Sequence, residues 1–213
     1  AHKVYTRWPL TDRGLKYDRE WMIVTCNGVC LTQKSNTKLC LIKPLINLKE
    51  GFMELTYPYA KPIRLSLSSQ EQQNGKLASL CQSKVCGDRI QGVDCGDAIA
   101  NWLSDVLCMS DLRLIRQSSS DKRTFQNKSQ KDSIQSISLA NQAQFLLINI
   151  TSVDWLVSKV IDWSELNDST EDQLLPAAVD RFRGNLVIES GDFLEEMQWS
   201  HVRIGDVEFS TEG

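Results

Sequence analysis

Apolar residues between positions 3 and 66 come in short runs, each ended by residues that favour turns, and this is the pattern of a β-rich region. Glu20–Thr25 and Val29–Gln33 are expected to form a hairpin around Asn27-Gly28, with Met22, Val24 and Cys26 sharing its apolar face with Val29 and Leu31. Lys38–Ile42, Phe52–Tyr57 and Ile63–Leu67 read as further strands, separated by Lys49-Glu50-Gly51 and by Pro58 and Pro62. Ser68–Lys76 is polar and turn-like. The period then changes. Across Asp97–Cys108, Ile99, Trp102, Leu103, Val106 and Leu107 recur at three-four spacing after an acidic start, which predicts a helix with one buried face.

Leu112–Arg116 reads as a strand, Gln144–Asn149 as a buried strand and Ser152–Ile161 as a helix. Gln173–Phe182 is helical, with Pro176 near its first turn, and Asn185–Ile188 and Val207–Phe209 are strands. Two polar stretches interrupt this order. Gln117–Ser133 carries Lys122, Arg123, Lys128 and Lys131 with Phe125 as its one large apolar residue, and reads as a mobile solvated loop or a basic flap over an anionic ligand. Asp162–Asp172 is acidic and polar. The fold class that follows is mainly β with a few helices, an α+β arrangement.

Composition adds little to this picture. The 213 residues, 41% hydrophobic and 24% charged, are ordinary for a globular chain. The distribution of charge says more. Residues 1–160 hold 21 basic and 14 acidic side chains, a balance of +7, whereas residues 161–213 hold 3 and 13, a balance of −10. The basic part suits an anionic ligand, and the acidic remainder argues against a general nucleic-acid surface. No apolar run approaches the ~18 residues of a membrane span. Seven cysteines, an odd number in a chain of this size, point to a reducing, cytoplasmic setting. The chain begins at Ala1 without a Met and stops just after a strand, which reads as a piece of a longer protein.

Several chemistries are disfavoured. There is no glycine-rich phosphate loop. The two histidines, His2 and His201, sit in segments unsuited to a Ser-His-Asp site. In the expected hairpin Cys26 and Cys30 point to opposite faces, so they cannot share a metal, and Cys26 reads as a small core side chain. Cys81, Cys86 and Cys95 lack paired spacing and read as buried structural thiols. What remains are arginines beside strands: Arg19 in Asp18-Arg19-Glu20-Trp21, and Arg183 in Arg181-Phe182-Arg183-Gly184-Asn185. Guanidinium forks suit phosphates and flat heterocycles, and Asn185 adds a donor and an acceptor. From the residues alone, the same arginines suit structural ion pairs or strand-end caps better.

These stretches also carry a resemblance. Gly14-Leu15-Lys16-Tyr17-Asp18-Arg19-Glu20-Trp21 resembles the G-L-x-x-D-R-x-W segment of MOSC N-terminal β-barrel regions. Val29-Cys30-Leu31-Thr32-Gln33-Lys34, Cys86-Gly87-Asp88, Asp94-Cys95-Gly96-Asp97, the Trp102 helix and Arg181–Ile188 with Trp199 and Ile204-Gly205-Asp206 follow in the family's order. The resemblance implies a MOSC-type β-barrel with an N-terminal β subdomain, residues 1–66 forming that subdomain and 67–213 the MOSC domain. Within the family the details are closest to the C-terminal domain of molybdenum cofactor sulfurases, with mitochondrial amidoxime-reducing proteins as near relatives.

The implied role is that of a molybdopterin-holding part of a sulfurtransferase. It accepts sulfur so that the cofactor gains the sulfido ligand needed by xanthine dehydrogenase and aldehyde oxidase. A pyridoxal-phosphate cysteine desulfurase domain, absent here, would lie N-terminal to it in the full-length chain. The resemblance places Arg19 at the cofactor and gives Arg183 and Asn185 the grip on its pterin and phosphate, all three converging on one cleft. At the family's hydroxyl position this chain reads Asn141-Gln142-Ala143-Gln144, so no contact is assigned there. The family's Lys-Ser pair would precede Ala1 and its molybdenum-binding cysteine would follow Gly213, so this piece alone is expected to bind cofactor weakly and turn nothing over. No catalytic residue and no metal ligand is assigned within it, and neither nucleic acid nor membrane is an expected partner. The alternatives are an amidoxime-reducing type of molybdenum oxidoreductase domain and a non-catalytic module that docks a target enzyme through 117–133 or 162–172.

Overall fold

A computed structural model describes residues 3–68, 77–82, 89–126, 134–140, 142–160 and 171–211. The expected turn over 69–76, Cys86-Gly87-Asp88, segment 127–133 and the acidic stretch 161–170 lie outside them. The chain forms two compact units, Ala1–Gln144 and Phe145–Gly213. The family modules expected over 1–66 and 67–213 are a different division, and we keep that division as a proposal.

In the first unit a short hairpin, β1 (Leu10–Thr11) with β2 (Gly14–Leu15), precedes β3 (Trp21–Val24). The turn after β3 forms around Asn27-Gly28, as expected, but with different geometry. Thr25 N–H donates to Val29 O (3.0 Å) and Gly28 N–H to Thr25 O (2.8 Å), which closes a three-residue loop with Gly28 alone at positive φ (71°). A two-residue turn would have needed Asn27 left-handed as well. The consequence falls on Cys26, which is exposed in the turn and not in the core. The return arm is reduced to a single bridge, Val24 to Cys30.

Lys38–Ile42, expected as a strand, is instead a 3-10 helix over Thr37–Leu41, started by the Asn36 side chain accepting from Lys38 N–H (3.0 Å). The strand comes directly after it, as β4 (Lys43–Asn47), with Pro44 tolerated because β4 is the edge of its sheet. β4, β5 (Phe52–Thr56) and β6 (Ile63–Ser66) make an antiparallel meander. β7 (Leu77–Gln82), β8 (Arg89–Asp94) and β9 (Arg113–Gln117) join β3 in an antiparallel sheet of order β3-β9-β8-β7. Between β8 and β9 runs α1 (Asp97–Leu107), the helix that the three-four spacing predicts. Its Ile99, Leu103 and Leu107 are at most 3% exposed and pack with Met53, Leu55, Leu65, Leu67, Leu112 and Leu114. Each such burial contributes roughly 1.5–3 kcal/mol.

Residues 117–125 alternate between buried and exposed, Ser119, Ser120, Lys122 and Thr124 being exposed, and so are not a wholly solvated loop. Gln117, Ser118, Asp121 and Arg123 are buried, and β10 (Thr124–Gln126) pairs with β11 (Ile134–Ser136). Arg123 is turned inward, its Nη1 donating to Ser138 O (2.7 Å) and to Ala140 O. Arg123 is therefore committed to backbone carbonyls and is not a cation of a flap, Lys122 beside it is exposed, and Lys128 and Lys131 lie outside the described residues.

In the second unit β12 (Leu147–Asn149) pairs in parallel with β13 (Leu186–Ile188). A parallel pair needs a long crossover, and α2 (Ile150–Val157) and α3 (Glu171–Phe182) lie on it. α3 starts before the expected Gln173, so Pro176 is its sixth residue and not part of its first turn. A short 3-10 helix, Glu195–Gln198, leads to a hairpin of β14 (His201–Ile204) and β15 (Val207–Ser210). Asn149, 1% exposed, is the polar centre of this unit. Its amide donates to Ser190 Oγ and Glu196 Oε2, both at 2.7 Å, while its oxygen caps α2 at Thr151 N–H (3.1 Å).

The mainly β fold with a few helices is borne out. Among the described residues, however, no sheet closes on itself.

Candidate functional site

Arg19 lies in a turn that the backbone alone disfavours. Tyr17 (φ 68°) and Arg19 (φ 52°) are both left-handed. For a side chain larger than glycine that conformation costs roughly 1–2 kcal/mol, and it persists where neighbours over-determine it. Those neighbours are visible. Glu20 Oε1 accepts from Tyr17 N–H (2.7 Å), and Glu20 Oε2 meets Arg116 Nη2 (3.1 Å) and Nε (3.3 Å). The Arg116 guanidinium stacks against Trp21 (4.9 Å to the ring centre) and Tyr17 (5.4 Å), and its Nη1 donates to Leu67 O (2.9 Å). Leu139 N–H donates to Arg19 O (2.9 Å). Arg19 itself is part-exposed (28%) and paired with Asp18.

Asp18 and Glu20 line a recess of about 370 Å³, together with Arg13, Arg116, Gln117 and Ser138. Arg13 donates to the carbonyls of Ser118 (2.9 Å), Ser119 (2.9 Å) and Asp121 (2.8 Å), which fixes the loop on its rim. Arg116 is missing from the sequence-based candidates, although its signal was present: a charge directly after the apolar pair Leu114-Ile115 in a strand-like run.

The Asp94-Cys95-Gly96-Asp97 motif is a structural clasp. Asp94 Oδ2 and Asp97 Oδ1 each meet Arg113 at 2.6 Å, Asp94 Oδ1 takes the Gly96 N–H (2.7 Å), and this pairing raises the Arg113 pKa further. Burial, reinforced by the Asp94 charge, pushes the Cys95 thiol up to about 12, so it is an inert core group as expected. Burial also acts to raise Glu196, but hydrogen bonds from Asn149 and Ser152 outweigh it and hold the carboxyl below its usual range. The five described cysteines whose side chains are placed are free thiols, and among the described residues no three His, Cys, Asp or Glu side chains gather as a metal site.

Arg183 and Asn185 come together in the second unit, on either side of Gly184. Arg183 follows α3 directly and is again left-handed (φ 55°), its N–H donating to Asp180 O (3.2 Å). Glycine would be the usual residue there, yet the glycine stands one position later. The reason is space: a Cβ on Gly184 would lie 2.5 Å from Ile148 Cγ1 and 3.1 Å from Leu146 O. Asn185 Oδ1 accepts from Leu146 N–H (2.7 Å), so its carbonyl aligns β12 with β13, and a ligand contact from this residue would come from Nδ2. Two of the three candidate residues thus occupy strained backbone positions. The chemistry they offer is guanidinium and amide donation toward an anion or a polar ring edge.

The family model for the MOSC N-terminal beta barrel domain matches residues 3–110. The chain belongs to the MOSC N-terminal β-barrel family. The recognition that began with Gly14–Trp21 is borne out. Across its whole length the chain is 51% identical to molybdenum cofactor sulfurase 3 of Aedes aegypti, over 214 aligned residues that make up 27% of that protein. The molybdenum cofactor sulfurase of Bombyx mori is 48% identical over 213 residues, all of this chain and 25% of the relative. That of Drosophila melanogaster is 44% identical over 206 residues, 97% of this chain and 23% of the relative. This MOSC chain therefore spans about a quarter of the length of the curated relatives it matches. Among the described residues no helix is long and apolar enough to cross a membrane.

Proposed function

We propose that this chain is the cofactor-holding part of a molybdenum cofactor sulfurase, in which Arg19, Arg183 and Asn185 bind a phosphorylated pterin. The observation that carries the reading is full-length similarity to proteins of that name, 51% identical at its highest among those above, across segments that include all three residues. The side chains fit the group: two guanidinium forks suit a phosphate, and an amide Nδ2 suits the acceptor edge of a polar bicyclic ring. When bound, the cofactor supplies the molybdenum whose oxo ligand is exchanged for sulfide.

The residues of this chain bind and orient. Arg183 and Asn185 hold their part of the ligand from the rigid start of β13, and Arg19 neutralises anionic charge from the turn before β3. The sulfur comes from a pyridoxal-phosphate desulfurase domain elsewhere in the longer protein, and the recipients are xanthine dehydrogenase and aldehyde oxidase in the cytoplasm. Sulfurase relatives favour this reading over an amidoxime-reducing one. The test is Arg183→Ala in the natural polypeptide that carries this sequence, with pterin retained per molecule read by fluorescence after oxidative release. Loss of about tenfold is expected for one charge-assisted anion contact. Undiminished retention would overturn the proposal and favour a docking module.

A further inference from the structure

We infer that Arg116 is the positioning residue for Arg19: it clamps the doubly left-handed turn in the shape that presents Arg19 to an anionic ligand. This rests on the reading of Arg19 as a cofactor contact and adds to it a residue that acts through Arg19. One carboxylate–guanidinium pair reaches both sides of Arg19. Glu20 holds the Tyr17 N–H (2.7 Å) through one oxygen and Arg116 (3.1 Å) through the other. The guanidinium face then covers the rings of Tyr17 and Trp21, two residues before and two after Arg19. Its Nη1 donates to the Leu67 carbonyl (2.9 Å), so the group is committed to the protein and only 20% exposed.

The strain is what gives the clamp a role beyond packing. A glycine at position 17 or 19 would adopt positive φ without cost, yet Tyr17 and Arg19 stand there. Without the clamp both residues gain by returning to negative φ, and that rotation redirects the Arg19 side chain. Lysine cannot replace Arg116, because a single ammonium lacks both the flat face and the fork.

The experiment is a double-mutant cycle in the natural polypeptide, purified from cells that make the cofactor, with pterin fluorescence counted per folded molecule. Arg19→Ala and Arg116→Gln are each expected to lower retention about tenfold, and the double variant no further than either alone, because residues acting as one unit are non-additive. Arg116→Lys is expected to fall with Arg116→Gln. Glu20→Gln, which breaks the same clamp more gently, takes the place of Arg116→Gln in the cycle should the latter fail to fold. Full retention in Arg19→Ala would defeat the reading of Arg19 itself. Loss in Arg19→Ala with retention in Arg116→Gln, or multiplied losses in the double variant, would overturn the positioning role alone. Ile99→Val, a core change on α1 that removes none of the clamp's hydrogen bonds, is expected to keep its pterin, and an equal loss there would assign the effect to stability and overturn the inference.

Discussion

Replacing Gly184 by alanine tests how β13 is seated and, with it, the two candidate residues on either side. The added methyl would lie 2.5 Å from Ile148 Cγ1, 3.3 Å from Ile148 Cβ and 3.1 Å from Leu146 O. The first atom belongs to a β-branched side chain with little rotamer freedom, and the last is backbone in the paired strand. Relief therefore requires β12 and β13 to separate by several tenths of an ångström, against the Asn185–Leu146 bonds at 2.7 and 3.1 Å. Overpacking of this kind costs about 1–3 kcal/mol. For a unit the size of Phe145–Gly213, that is a fall in Tm of several degrees for each kcal/mol. Gly191→Ala is the matched control: nothing lies within 4 Å of its added methyl, and reduced freedom in the unfolded chain makes it neutral or stabilising by up to about 1 kcal/mol. Urea unfolding followed by far-UV circular dichroism measures both. If Gly184→Ala came within about 0.5 kcal/mol of the parent, the close approach would not be real and the seating of Arg183 and Asn185 would need another cause.

Three further outcomes follow from buried groups. Cys95 keeps its proton to about 12 when folded but ionises near 9.0 when unfolded, so its contribution is intact below pH 9 and is lost as pH rises toward 12. The parent should therefore lose up to about 1.4 kcal/mol per pH unit in that window relative to Cys95→Val, read by urea titration at several pH values. Glu196, held below its usual range, gives stability that is present above pH 4.5 and lost as pH falls through the depressed value. Acid unfolding of Glu196→Gln should be less steep there, and an identical profile would refute the network around Asn149. Arg123→Met should cost about 2 kcal/mol, because it abandons the buried carbonyls of Ser138 and Ala140, while Lys122→Met on the exposed side should cost almost nothing. Equal costs would restore the solvated loop.

Much of the architecture is local enough to be written in the residue pattern. α1 needs only the spacing of Ile99, Leu103 and Leu107, and β5, β6 and β9 need only short apolar runs between breakers. Family membership was legible too, because the residues around Arg19 lie in the matched region. The structure decided the rest, through local turn geometry that residue types leave open and through partners distant in sequence. A capping bond from Asn36 wound 37–41 into a helix although the apolar run Leu39–Ile42 reads as a strand. A three-residue loop placed Cys26 in solvent. Parallel pairing of β12 with β13 set a glycine where a side chain would collide, and so displaced the left-handed position onto Arg183. Arg116 and Arg123 look alike in sequence, as cations near strands. Only the arrangement of carbonyls, rings and one carboxylate around each turned them into interior struts, since a charge is buried where donors and acceptors from separate segments meet it.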